Sequence, residues 1–279
     1  MILLFDVGGT KMRIAVSEDE VGFGDIKIYD TPENFEDAVE LFTTFKGGTF
    51  KVIAGGVPGV LSKDKSVLVC SPNLQKWVGK PIKNKLAELF ESEVILENDA
   101  ALAGLGEACF GAGRDKRIVA YLTISTGIGG TRIVDKKIDV SSWGFEPGRQ
   151  IIDTDVTVWP ESVAFNPENL PPGSIESYIS GAALNYRYGK PSSEVKDIKV
   201  WTDVEKLLAV AINNTIAYWS PEVIVLGGGM VLEDAISINN VYKNLDEIVR
   251  IFPELPELKK ADLGDTSALH GALALIKSG

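Results

Sequence analysis

Apolar residues recur along the chain in two rhythms. From Leu3 to Val16 they run as two β-branched strands on either side of Asp6-Val7-Gly8-Gly9-Thr10-Lys11, and from Ala120 to Val134 as two more around Ser125-Thr126-Gly127-Ile128-Gly129-Gly130-Thr131. Both copies end in Gly-Gly-Thr followed by a basic residue, Lys11 or Arg132, which implies two related halves. The second rhythm is helical. Thr31 with Pro32 predicts a capped start for a helix carrying Phe35, Ala38, Val39, Phe42 and Phe45 on one face. Further helices are predicted from Pro81 to Phe90 and, after the strand Val94-Ile95-Leu96, from Asn98-Asp99 to Phe110. The clearest runs from Asp203 to Trp219, where Val204, Leu207, Leu208, Ala211, Ile212, Thr215, Ile216 and Trp219 share one stripe. Pro221 ends it, Val223 to Leu226 reads as a buried strand, and Gly227-Gly228-Gly229 opens another turn. Strands alternating with helices place the chain in the α/β class. The span Asp153 to Pro172 holds four of the thirteen prolines and reads as a surface loop.

Composition narrows what such a chain can do. At 279 residues it can bury a core without disulfides, and Cys70 and Cys109 read as free thiols of a reducing cytoplasm. A net charge of −11 argues against nucleic acid and anionic membranes as partners. The first five residues lack the basic flank and cleavage site of a signal peptide, and no apolar run approaches a membrane span.

Glycine is in surplus, 28 residues, and three clusters follow strands. Such turns let backbone N–H groups approach a phosphate, although each alone could be a tight hairpin. After Thr10 and Thr131 the chain enters strands, Met12 to Val16 and Arg132 to Val134, whereas dinucleotide folds and P-loops enter a helix. Both common glycine motifs are thereby disfavoured. The Gly104-x-Gly106 and Gly111-x-Gly113 pairs read instead as packing or capping glycines of a helix.

Taken in order, Asp6-x-Gly8-Gly9-Thr10-Lys11, Glu97-Asn98-Asp99-Ala100, Thr126-Gly127-Ile128-Gly129-Gly130, Glu146-Pro147-Gly148, Gly173-Ser174-Ile175-Glu176 and Leu226-Gly227-Gly228-Gly229 resemble the motifs of the ROK family of sugar kinases, within the actin-like ATPase superfamily. The resemblance runs nearly end to end. It implies an α/β protein of two ribonuclease-H-like (actin-like ATPase) domains, residues 1–115 completed by a final helix 265–279, and 116–264, with ATP and sugar in the cleft between them. The activity it implies is ATP-dependent phosphorylation of a hydroxyl of a hexose or hexose derivative, as in a glucokinase, and it also implies a homodimer.

Phosphoryl transfer to a hydroxyl needs positioning, charge neutralisation and an acceptor for the proton. Asp99, at a strand end and a helix start, reads equally as a helix cap or as that acceptor; the resemblance makes it the catalytic base, with the helix N-terminus keeping it ionised. Asn98 beside it can bind sugar hydroxyls. Asp6 suits a water-mediated Mg²⁺ contact. By resemblance, Gly8, Gly9, Thr10 and Lys11 face the phosphates, Lys11 being otherwise a solvated turn lysine, and Thr126 and Gly127 form a second phosphate loop. Gly227, Gly228 and Gly229 make room for adenosine. Glu146 and Glu176 match the sugar-binding glutamates, and Gly59 and Asn73 lie in segments similar to sugar-side loops. Trp77 reads as a core residue or an apolar wall.

Two departures stand out. Where the family usually has a histidine three residues after the first glutamate this chain has Arg149, and Ser174 replaces the last cysteine of the zinc set that many members carry, so no zinc is expected. The one histidine, His270, falls on the apolar side of the last helix. Arg149 can donate to a sugar oxygen but cannot accept, and it points to an acidic or phosphorylated substrate. A degenerate, non-catalytic sugar-binding protein of the same family is the alternative reading.

Overall fold

In a computed structural model, the described residues are 1–163, Phe165 and 170–278. They form two compact units, one of residues 1–110, 136–144 and 265–279, the other of 111–135 and 145–264.

The first unit is built on a sheet of order β3-β2-β1-β4-β7. Its strands are β1 (Ile2–Val7), β2 (Lys11–Ser17), β3 (Lys27–Asp30), β4 (Val52–Val57) and β7 (Glu93–Asn98), and a small hairpin of β5 (Val60–Leu61) and β6 (Leu68–Cys70) follows β4. β1 runs antiparallel to β2 and parallel to β4, which is parallel to β7. Strand alternation explains the layering. Leu3, Phe5 and Val7 pack with Phe35 and Phe42 of α1 (Phe35–Thr43) and Leu86 of α2 (Ile82–Phe90). On the other face Ile2 and Leu4 pack with Leu102 of α3 (Asp99–Cys109) and with Leu269 and Leu273 of α9 (Ser267–Ser278). Both faces are covered, which is why β1 is apolar from Ile2 to Phe5, the buried Asp6 near its end being the one polar residue.

The crossing of α3 and α9 depends on missing side chains. A Cβ on Gly106 would lie 2.1 Å from the Ser267 carbonyl oxygen, and one on Gly271 would lie 1.8 Å from that of Leu102. Gly106 is thus a packing glycine. No glycine caps α3, which ends at Phe110. His270 packs between Phe23 and Phe110.

In the second unit the strands run β9-β8-β11-β12, with β8 (Ile118–Ile124), β9 (Ile128–Val134), β11 (Val223–Gly227) and β12 (Glu257–Lys260). β8 and β9 form the antiparallel hairpin around the second glycine turn, and β11 is parallel to β8. Each unit thus has a glycine-turned hairpin whose first strand takes a parallel neighbour. Val204, Leu208, Ile212 and Ile216 of α6 (Ile198–Trp219) and Val241 and Leu245 of α8 (Ile238–Ile248) cover Ala120, Leu122, Ile224 and Leu226. The remaining helices are α4 (Ile175–Ile179), α5 (Gly181–Tyr188) and α7 (Gly229–Leu232), and β10 (Lys137–Ile138) follows β9 through a turn with left-handed Asp135 and Lys136.

Three local readings change. Thr31 does not cap α1, which starts at Phe35 after Asn34; the Thr31 hydroxyl donates instead to the Gly8 carbonyl at 2.8 Å, tying down the glycine turn. α6 starts five residues before Asp203, capped by Asp197, because its first turn carries an exposed Ile198 that hides the apolar stripe. Asp203, which resembles a cap, pairs with Lys199 one turn back. The expected loop Asp153 to Pro172 is largely irregular and includes the short helical turn Pro160–Val163, while Ala164 and residues 166–169 lie outside the described residues.

On an exposed helix, Gly→Ala stabilises by about 1 kcal/mol. At the α3–α9 crossing the sign reverses: Gly271→Ala is expected to cost about 2 kcal/mol or more in chemical denaturation, the scale of overpacking a core. A stabilised variant would contradict the close crossing.

Candidate active site

In the first unit the parallel register brings three strand ends level: Asp6 lies opposite Gly56, Gly56 opposite Glu97, and Val57 opposite Asn98. Asn98 closes β7 and opens α3. Its Oδ1 accepts from the Ala101 N–H at 3.0 Å, so the capping role that Asp99 could have filled belongs to Asn98. Its Nδ2 donates to the Gly59 carbonyl at 3.0 Å. Both ends of the Asn98 amide therefore have protein partners. Gly59 is held at φ +114°, and a Cβ there would lie 2.2 Å from the Cys70 carbonyl. Glycine is required at that position.

The Asp99 carboxylate accepts from the Ala100 N–H at 2.9 Å. Burial pushes its carboxyl up to about 6, against the backbone N–H groups that lower it. The helix start alone does not set its charge. Desolvation, which favours the neutral acid, is the larger effect, and it brings the protonation of Asp99 up to only slightly below neutral pH. Asp6 is driven further, up to about 7, by burial first and then by the nearby Asp99 charge; Arg13 opposes this and Asp265 adds to it. Arg13 lies between them, 3.7 Å from Asp6 and 2.5 Å from Asp265. Sequence reasoning missed both Arg13 and Asp265. The available signal was an arginine inside an otherwise apolar strand.

The first glycine turn is closed by the Gly8 N–H on the Lys11 carbonyl at 2.8 Å. A Cβ on Gly9 would meet the Asn73 side chain at 3.0 Å, so Gly9 and Asn73 are neighbours. Thr10 and Lys11 are exposed, and Lys11 pairs with Asp30 on the adjoining strand at 2.6 Å. Trp77 is a core residue, buried with its ring against Phe35 and its Nε1 donating to the Pro32 carbonyl. Buried Asp6 with one flanking guanidinium suits a hard cation that keeps its own waters. Among the described residues no group of three or more His, Cys, Asp or Glu is gathered to hold a metal directly.

In the second unit Glu176, near the start of α4, accepts from the Ile128 N–H at 2.8 Å. A Cβ on Gly127 would come within 3.3 Å of its carboxylate and one on Gly148 within 2.8 Å, so Glu176 sits in a niche that both glycines leave open. Glu146 is exposed and Arg149 partly buried, at either end of the buried Pro147-Gly148 turn. Thr126 and Gly229 line one cavity of about 360 Å³ together with Gly181, Ala182, Asn185, Ser192 and Met230. Of these, Gly181 and Ala182 were not anticipated. They begin α5 and donate their N–H groups to the Ser125 and Thr126 carbonyls. Cβ atoms on Gly227 and Gly228 would meet the Tyr121 hydroxyl at 2.4 Å and the Ile124 carbonyl at 2.3 Å, so glycine is needed there for packing.

The sequence matches the model of the ROK family over residues 3–278. An N-acetyl-D-glucosamine kinase from Pectobacterium carotovorum is 27% identical over 316 residues, covering 97% of this chain and 97% of its own. Among solved structures, the ROK hexokinase of Thermus thermophilus aligns with a TM-score of 0.79 at 26% identity, covering 100% of this chain and 99% of that one. A ROK family glucokinase from Streptomyces griseus, in complex with glucose and AMPPNP, aligns with a TM-score of 0.80 at 22% identity, covering 99% and 100%. The chain has the two-domain α/β fold of these proteins, that of the actin-like ATPases.

Carboxyl ¹³C NMR of the nucleotide-free protein should show two aspartates titrating late, near pH 6 and pH 7, assigned by Asp99→Asn and Asp6→Asn. Both values lie above the ordinary 3.8, so these groups favour the folded state below about pH 4, and that contribution is lost as pH rises through 6 and 7. Midpoints near 4 for both would remove the desolvated pair.

Proposed function

Because the chain belongs to the ROK family, we propose that it transfers the terminal phosphoryl group of ATP to a hydroxyl of a hexose or hexose derivative, with Asp99 as general base. The observation that carries the reading is the division of labour at the start of α3. Asn98 caps the helix, and the adjacent carboxylate is held in a desolvated position where its proton affinity falls near neutrality. A base whose pKa lies close to the working pH is poised both to be ionised and to accept a proton.

The chemistry asks for little more than placement and charge control. Asp99 takes the proton of the attacking hydroxyl as its oxygen bonds to the terminal phosphorus and the bond from that phosphorus to the bridging oxygen breaks, releasing ADP. Asp6, flanked by Arg13, would hold Mg²⁺ through water, and the ion would supply neutralisation of the phosphate charge. Gly9 and Thr10, in the turn that the Gly8 N–H closes, and the Thr126-Gly127 turn offer backbone N–H groups to the phosphates, with adenosine assigned to the cavity beside Gly229. Glu176, with Glu146, accepts from sugar hydroxyls, and Gly59 and Asn73 belong to the sugar side. The relatives' names, an N-acetyl-D-glucosamine kinase, a hexokinase and a glucokinase, support a hexose scaffold as acceptor.

Asp99→Asn keeps the size of the side chain and removes the proton acceptor. It is expected to lower kcat at least about 100-fold while the protein still binds nucleotide by calorimetry, the usual weight of a general base. In the parent enzyme kcat/KM should rise with pH through about 6 and then level. Undiminished turnover in the variant would end the assignment of the base. Ala182→Trp, which fills the cavity beside Gly229, should raise KM for ATP about tenfold or more with KM for sugar little changed; equal effects on both would remove adenosine from that cavity.

A further inference from the structure

Arg149 differs from every other arginine in the chain. Arg13 and Arg114 face carboxylates, Arg117 pairs with Asp135, and Arg132, Arg187 and Arg250 donate to backbone carbonyls. The Arg149 guanidinium makes no hydrogen bond, ion pair or ring contact with any described residue, although it is partly buried in a chain carrying 39 carboxylate side chains. It does not neutralise Glu146 or Glu176, since it forms an ion pair with neither.

The backbone that presents it is fixed from several directions. The Arg149 N–H donates to the Glu146 carbonyl at 3.0 Å. The next residue, Gln150, is a hub: its Nε2 donates to the Pro147 carbonyl at 2.9 Å, its Oε1 accepts from Asn214 of α6 at 2.9 Å, and its carbonyl accepts from the Ile175 N–H at 3.0 Å. Gly148 rests against Ile128 and the Glu176 carboxylate. The turn is therefore braced against the core helix and against the first residue of α4, immediately before Glu176.

A partly buried arginine whose guanidinium has no partner, on a braced turn, is arranged to meet a ligand rather than to hold the fold. Its five donors lie in one plane and match the two oxygens of a carboxylate or phosphate. We propose that the acceptor sugar carries an oxyanion, a carboxylate or a phosphate, which Arg149 binds while Glu176 accepts from a hydroxyl of the same molecule. This rests on the kinase reading and names its substrate class. Gln150 and Asn214 act as positioning residues by holding the turn.

The test measures kcat/KM with ATP for glucose and N-acetylglucosamine against two anionic arms, gluconate and glucuronate in one, glucose 1-phosphate and glucosamine 6-phosphate in the other. At least one anionic acceptor should exceed the neutral sugars by about tenfold or more, the scale of a charge-assisted hydrogen bond. Its KM should rise with salt, and Arg149→Met should collapse that preference. Gln150→Ala should raise KM for the same acceptor more than it lowers kcat, leaving KM for ATP unmoved. The arm that responds identifies the oxyanion. A neutral sugar preferred by the parent enzyme, or equal losses on neutral and anionic acceptors in Arg149→Met, overturns the proposal and leaves the kinase reading intact. If no acceptor is phosphorylated, the kinase reading fails and calorimetry decides the rest: an anionic probe bound by the parent and weakened about tenfold by Arg149→Met supports the oxyanion site, whereas no binding of any anionic probe overturns it.

Discussion

The first unit depends on how closely a helix can approach a sheet. At Gly56, near the end of β4, a Cβ would crowd the Asp99 Cα at 3.0 Å and the Leu102 side chain at 3.1 Å. Because that space is empty, the first turn of α3 lies directly on the strand ends, and Asn98 and Asp99 are delivered level with Asp6 and Gly59. The far side of the same helix repeats the device against α9. Backbone proximity, rather than any single strong bond, sets where the acidic side chains can be.

That proximity has an electrostatic cost which the site turns to use. Moving carboxylates out of water raises their proton affinity, and two of them close together raise it further. Helix N-terminal N–H groups and Arg13 offset part of this without cancelling it. The result is a pair of acids that change charge near neutrality, as the roles proposed for Asp99 as proton acceptor and Asp6 as cation ligand require.

Much of this was legible in the sequence because it is written in local pattern. The apolar periodicity located β1, β2, β8, β9 and β11 and all but the first turn of α6, and the glycine turns were distinguished from helix-leading motifs by the strands that follow them. Capping was harder to read. Thr31-Pro32 looks like a helix start but serves a turn 23 residues earlier, through a hydroxyl contact no spacing rule anticipates. Adjacent Asn98 and Asp99 are both good caps, and only the geometry decides which one is free for chemistry. Burial energetics were not legible at all: the pattern placed Asp99 at a helix start, and desolvation reversed the direction that such a position favours. Gly181 and Ala182 escaped because their role comes from where α5 begins, far along the chain from the turn they meet.

The first unit is discontinuous, and its last piece, α9, is also the last part of this sequence to be made. Leu269, Ala272 and Leu273 complete the apolar layer beneath Ile2 and Leu4. On the ribosome, then, β1 and its neighbours must wait with one face covered only in part, by α3, while all of residues 111–264 are synthesised. The second unit can finish folding first even though residues 1–110 of the first precede it. Until α9 emerges, the apolar layer beneath Ile2 and Leu4 is therefore the part of the nascent first unit most open to chaperones and proteases.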